Sequence, residues 1–171
     1  MLPLQGLAQG AQPIISYNYG AGNSNRVRRA YRLLLICSVC YAMIFCLLIQ
    51  LFPGVFAAIF TSNAELLAFT KPMLRIYTLA LGLFGIQIAC QMTFTALGNA
   101  KASIIVAVMR KFILLLPLIY MMPHLYTADL TKAVFMAEPV ADVLAVAFTG
   151  VLFFFEFRKA LRAMPKSEKN N

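Results

Sequence analysis

Two acids inside an otherwise apolar run are the first places in this chain where chemistry could reside. Residues 133–155 are apolar apart from Glu138, Asp142 and Thr149. Glu138 and Asp142 are four positions apart, so on a helix they share one face. Pro139 between them has no N–H, which leaves the carbonyl of Phe135 without its usual helical partner. Two carboxylates and a free carbonyl could bind a proton, a sodium ion or an organic cation. The same groups could instead hydrogen-bond neighbouring helices or water at a packed interface. A second polar series, Gln87, Gln91 and Thr95, recurs at i, i+4 and i+8, with Thr93 and Gly98 nearby. Such a stripe either joins helices or lines a cavity, and Gly82 and Gly85 in the same run would let another backbone approach closely. Arg110 and Lys111 interrupt a further apolar run and are expected to snorkel to the headgroups, with substrate gating by Arg110 as the alternative. His124, beside Pro123 with no second ligand at metal spacing, reads as a boundary residue. Cys37 and Cys40 spell C-x-x-C, but all four cysteines lie in apolar stretches and read as small packing residues. The sequence contains no nucleophile with its base, no metal cluster and no cofactor fingerprint, so neither enzyme activity nor a cofactor is expected.

Positioning these residues requires elements suited to an apolar solvent. Of 171 residues, 61% are apolar and only 12% charged, with a mean hydropathy of +0.79. A soluble domain carries about a quarter charged residues, so too little polar surface exists to cover a water-soluble globule. Disordered chains are poor in apolar residues, which excludes that class as well. An all-α, multi-pass integral membrane bundle remains. Crossing a hydrocarbon core about 30 Å thick takes about 20 helical residues. The charge-poor runs at about 33–52, 76–98, 102–122 and 133–155 therefore predict four complete transmembrane helices within a region spanning 33–155. Residues 1–19 are uncharged but interrupted by Pro3, Pro13 and several Gln and Gly residues. They read as a partial, kinked transmembrane helix, the end of a fifth, whose amides meet other helices or a wet cavity. No basic n-region marks a signal peptide. Between 20 and 32 lies a basic loop, in which Gly20–Asn25 is turn chemistry and Ser24 or Asn25 is available to cap the next helix. No phosphate-loop pattern is present there.

The net charge of +9 is distributed unevenly. Arg26, Arg28, Arg29 and Arg32, then Lys101, Arg110 and Lys111, then Arg158, Lys159, Arg162, Lys166 and Lys169 fall on one side, and only Lys71, Arg75 and Lys132 on the other. The positive-inside rule makes the first side cytoplasmic, with the basic tail 156–171 there too. This pattern excludes nucleic acid as the partner of the basic residues; their partners are membrane lipids. Tyr17, Tyr19 and Tyr31 are expected near the inner face, and Tyr120 and Tyr126 near the outer.

The stretch Gly6-Leu7-Ala8-Gln9-Gly10-Ala11-Gln12-Pro13 through Asn18-Tyr19-Gly20-Ala21-Gly22, followed by Arg26-Val27-Arg28, resembles the G-x-x-Q-G-x-Q-P…N-Y-G-A signature of multidrug and toxic compound extrusion (MATE) transporters. In that family it occupies the eighth helix and the loop after it. Gln91 to Ser103, with Arg110 and Pro117-Leu118, resembles the tenth and eleventh helices, and Glu138-Pro139-Val140-Ala141-Asp142 the P-x-x-D pattern of the twelfth in the MepA-like bacterial branch. The resemblance implies most of one lobe of a twelve-helix antiporter in the cell (inner) membrane, with a missing N-terminal lobe as partner. It implies export of small organic cations against a proton or sodium gradient, with Asp142, Glu138, Gln87, Gln91 and Thr95 as the candidate ion or substrate residues. A lipid or polysaccharide flippase of the same superfamily, or a non-transporting remnant of a truncated gene, are the alternatives. A flippase would be expected to line its cavity with several bases, and nearly all the bases here lie on the cytoplasmic side.

Overall fold

Backbone that must satisfy its own hydrogen bonds away from water forms helices, and helices make up all the regular structure of residues 2–125 and 129–164, which the computed structural model describes. The Tyr126 boundary position and residues 165–171 of the basic tail, Lys166 and Lys169 included, lie outside the described residues. Helix α1 (Leu2–Gly20) runs continuously through Pro13 and buries Leu4, Ala8 and Ile15 against α2 (Ser24–Leu51) and α5 (Phe84–Ala96). Of its amides, Gln5 and Gln9 are exposed and Gln12 is half-buried.

The turn into α2 uses Gly22 at φ +70°, a conformation that favours glycine. The helix cap is Asn23, not Ser24 or Asn25. Its side chain accepts a hydrogen bond from the Arg26 N–H, whereas Ser24 already lies within the helix. Helix α2 thus starts early enough to carry Arg26 to Arg32 on its first turns.

Short α3 (Pro53–Ala58) leads to α4 (Ala64–Tyr77), capped by Asn63. The chain then breaks at Thr78–Ala80, makes a 3-10 turn at Leu81–Leu83 and continues as α5. The two halves meet at 44°, so the second span is a bent pair beginning at Ala64, not one straight helix from residue 76. The break survives because α2 supplies donors to it. Gln50 Nε2 donates to the Arg75 carbonyl at 2.8 Å, and Cys46 Sγ to that of Thr78 at 3.4 Å.

Gly98, at φ +74°, ends α5. Asn99 then does two jobs: its Oδ1 accepts from Ala102 N–H to cap α6 (Ala100–Val108), and its Nδ2 donates to Glu156 at 2.9 Å. A π-helical segment, Met109–Leu115, joins α6 to α7 (Leu116–Leu125), completing the third span. Helix α8 (Leu130–Ala163) is the fourth. Its cap, Asp129, is held below the usual carboxylate range by the Lys132 backbone N–H and side chain.

Lipid offers no hydrophobic drive between helices, so close packing of small residues must supply association. Ala133, Ala137, Ala141 and Ala145 recur every four residues along α8 and are all buried. Ala8, Ala42 and Ala89 serve α1, α2 and α5 in the same way. Large apolar side chains such as Leu33, Leu47, Phe112 and Phe155 face outward, as a lipid-contacting surface requires.

Candidate functional site

Arg110 is the second residue of the π-helical segment. A π-turn inserts an extra residue and so re-aims the side chains that follow it. Arg110 lies about ten residues from the start of its span at Ala100, roughly 15 Å along the axis at 1.5 Å per residue. Its side chain does not extend outward to the headgroups, as the sequence suggested. Instead it turns into the bundle. Arg110 Nε and Nη2 both lie 2.7 Å from Asp142 Oδ1, and Nη2 lies 3.1 Å from Glu138 Oε1. The guanidinium also sits 4.7 Å above the ring of Phe84, the first residue of α5. Arg110 therefore leaves the loop count, and the charge asymmetry rests on eleven basic residues rather than twelve.

Glu138 and Asp142 share a face of α8, as their spacing requires, and α8 passes unbroken through Pro139. Asp142 is the more deeply placed, with a side chain 8% exposed against 18% for Glu138. Ala141 and Ala145 flank it and allow the close approach. One guanidinium thus serves two carboxylates, and the Lys111 ammonium on the adjoining residue also acts on Glu138. Asp142 Oδ2 and Glu138 Oε2 make no hydrogen bond among the described residues, so each acid keeps an oxygen free to accept. Oxygen ligands of this kind suit a proton or a hard cation such as sodium. No group of three or more metal-ligating side chains occurs among the described residues.

The second polar series is not gathered at one point. Gln87 is buried, three positions after Phe84, and its Oε1 has no hydrogen-bond partner among the described residues. Gln91 is half-buried, and Thr95 is exposed, donating to the Gln91 carbonyl at 3.2 Å. Two other buried oxygens, Ser38 Oγ on α2 and Thr149 Oγ1 on α8, also lack described partners. Thr149 lies seven residues beyond Asp142, on the same side of α8. An apolar pocket of about 580 Å³ lies along another side of α8, against Met136, Val143 and Ile76, with Arg75 at its edge. None of the candidate residues lines it. His124 hydrogen-bonds the Tyr120 carbonyl at 2.9 Å, and the four cysteines are free thiols, Cys37 and Cys40 exposed.

Arg110 as the partner of the acids was the chief residue the sequence left out. The signal was available, since a base and two acids inside apolar runs tend to pair, but the register that joins them was not.

Compared with known proteins, residues 1–121 match the MatE family. No curated protein sequence matches the chain. Among solved structures, a MATE multidrug transporter, DinF-BH, in complex with a ligand is 30% identical, with a TM-score of 0.83 over 95% of this chain and 35% of its own. An inward-facing multidrug resistance MATE family transporter of the MOP superfamily is 18% identical, with a TM-score of 0.86 over 96% of this chain and 38% of its own. A mutant of the Vibrio cholerae MATE transporter VcmN is 20% identical, with a TM-score of 0.79 over 89% of this chain and 34% of its own. The chain thus spans little more than a third of the length of these proteins.

Proposed function

Since the chain belongs to the MatE family of membrane transporters, we propose that it forms the C-terminal part of a cation-coupled multidrug efflux antiporter, with Asp142 and Glu138 as its coupling acids. The Arg110–Asp142–Glu138 cluster carries this function: two carboxylates share one guanidinium inside the bundle. Charged groups held together in this way are costly in a membrane interior and mark functional sites. A proton or sodium ion arriving at Asp142 competes with Arg110 for the carboxylate. An organic cation on the same pathway competes in the same way. Mutual exclusion of ion and substrate from one acidic centre is sufficient for antiport. Gln87, Gln91 and Thr95 are proposed to line the path, with Gln87 offering an unpaired carbonyl oxygen nearest the Phe84 end of α5. The free carboxylate oxygens of Asp142 and Glu138 favour cationic cargo over the anionic cargo of a flippase.

In the protein expressed with its N-terminal lobe, Asp142→Asn should insert normally and reduce gradient-driven efflux of a lipophilic cationic dye by about ten-fold or more, the range expected for a transition-limiting charge. Glu138→Gln, at the more exposed acid, should lose less. Efflux by Asp142→Asn at the parental rate, with unchanged pH dependence, would make the residue structural.

We further propose that the protein lies in the cell membrane with its C-terminus and the Arg26–Arg32 end of α2 in the cytoplasm. Reporter fusions after Asn171 and in the Gly20–Asn25 segment should then read as cytoplasmic, and one beside Asp129 as external. A cytoplasmic reading at Asp129 overturns the orientation.

A further inference from the structure

At the arginine-bearing end of the bundle, α2, α5 and α8 leave a groove of about 530 Å³. Its floor is aromatic. Tyr31 stacks on Phe153 at 4.5 Å between ring centroids and lies 5.2 Å from Phe157, with its hydroxyl 3.6 Å from Cys90 Sγ. Arg28 from α2 and Arg158 from α8 both line the groove, and neither forms an ion pair among the described residues. The Arg158 guanidinium lies 4.9 Å above the Phe154 ring, which holds it at the groove. Eight residues earlier on α8, roughly 12 Å deeper along the axis, Gly150 lines the same groove, and a side chain built there would meet nothing within 4 Å.

We propose that this groove binds one anionic phospholipid, with its phosphate between Arg28 and Arg158 and an acyl chain lying past Gly150. Two guanidinium groups without acidic partners call for an anion, since their planar donors match phosphate oxygens. The apolar floor and the open space at Gly150 call for hydrocarbon attached to that anion. Basic pockets between transmembrane helices are where such headgroups bind. An organic cation would be repelled by the same pair of arginines, so this is not the transport pathway. The site depends only on membrane residence, and loss or absence of dye efflux leaves it standing.

Native mass spectrometry of the purified protein, titrated with phosphatidylglycerol or with phosphatidylcholine of the same acyl chains, tests the site. The parent should retain one phosphatidylglycerol with roughly ten-fold preference. Arg28→Gln with Arg158→Gln should bring the ratio near unity, while Arg32→Gln with Lys101→Gln, at the same end but outside the groove, should leave it unchanged. Gly150→Leu fills the apolar part without altering charge and should lower retention of phosphatidylglycerol several-fold. Equal retention of both lipids overturns the proposal, as does an Arg28/Arg158 variant that keeps the preference. Equal loss in the Arg32/Lys101 variant would show only a general basic surface. Displacement of the lipid by inorganic phosphate at matching concentration would show a soluble-anion site. Full retention by Gly150→Leu would remove the acyl chain from the groove.

Discussion

Arg110→Met should destabilise the bundle by roughly 3–5 kcal/mol, the usual loss when one partner of a buried ion cluster is removed. Methionine keeps an aliphatic stem but withdraws the guanidinium from Asp142, Glu138 and the face of Phe84. Two carboxylates one helical turn apart would then face each other across apolar surroundings. Unfolding of the purified chain in mixed micelles, followed by circular dichroism, reads the effect. The origin of the loss is separable. Combining Arg110→Met with Glu138→Gln and Asp142→Asn removes all three charges at nearly constant shape, and a neutral set of this kind is often close to neutral in stability. The triple variant should therefore recover most of what the single one lost. If Arg110→Met unfolds at the parental midpoint, the ion cluster does not hold the π-helical segment to α8.

Gly85→Ala should be the most damaging single methyl group that can be added to this chain. A Cβ at position 85 would lie 2.7 Å from the Ser38 carbonyl carbon and 2.9 Å from Val39 Cα, both backbone atoms of α2. Backbone cannot step aside as a side chain can, so α5 must move away from α2 to reach ordinary contact. That shift opens the packing of Leu34, Ala42, Ile88 and Ala89. Overpacking of this kind costs about 1–3 kcal/mol or more. Gly82→Ala meets the Met43 thioether, a flexible group that can turn aside, and should cost less. Gly10→Ala meets nothing within 4 Å and should be neutral or stabilising by up to about 1 kcal/mol through helix propensity. The same unfolding measurement ranks the three. Equal effects at 82 and 85 would mean that the α2–α5 contact is looser than its geometry.

Fold class was legible because it follows from composition. With 12% charged residues the chain has no way to clothe itself for water, and lipid admits only helices or closed barrels. Most span positions followed too, from the absence of charge over about 20 residues at a time. Glu138 and Asp142 stood out for the same reason, because an acid in an apolar run is costly wherever the run folds. Their common face needed only the helical repeat. Gly85 was also foreseeable as a point of close approach, although its partner was not.

Four decisions belong to the tertiary structure, and each involves groups distant in sequence or a departure from the α-helical repeat. The break at Thr78–Ala80 persists because Gln50 and Cys46 of α2 satisfy the freed carbonyls, which no local pattern encodes. Arg110, at the start of a π-helical segment, reaches Asp142, 32 residues away, and hydrophobic periodicity announces neither the segment nor the pairing. Tyr31 joins the Phe153 and Phe157 stack from a helix more than 120 residues upstream, a pairing no local pattern encodes. The Gln87–Gln91–Thr95 series runs from buried to exposed because residues at i, i+4 and i+8 drift around a 3.6-residue helix. A sequence therefore fixes which residues must leave water and which local shapes the backbone can take. Which buried charge meets which depends on helix register and crossing, and these are set only when the helices pack together.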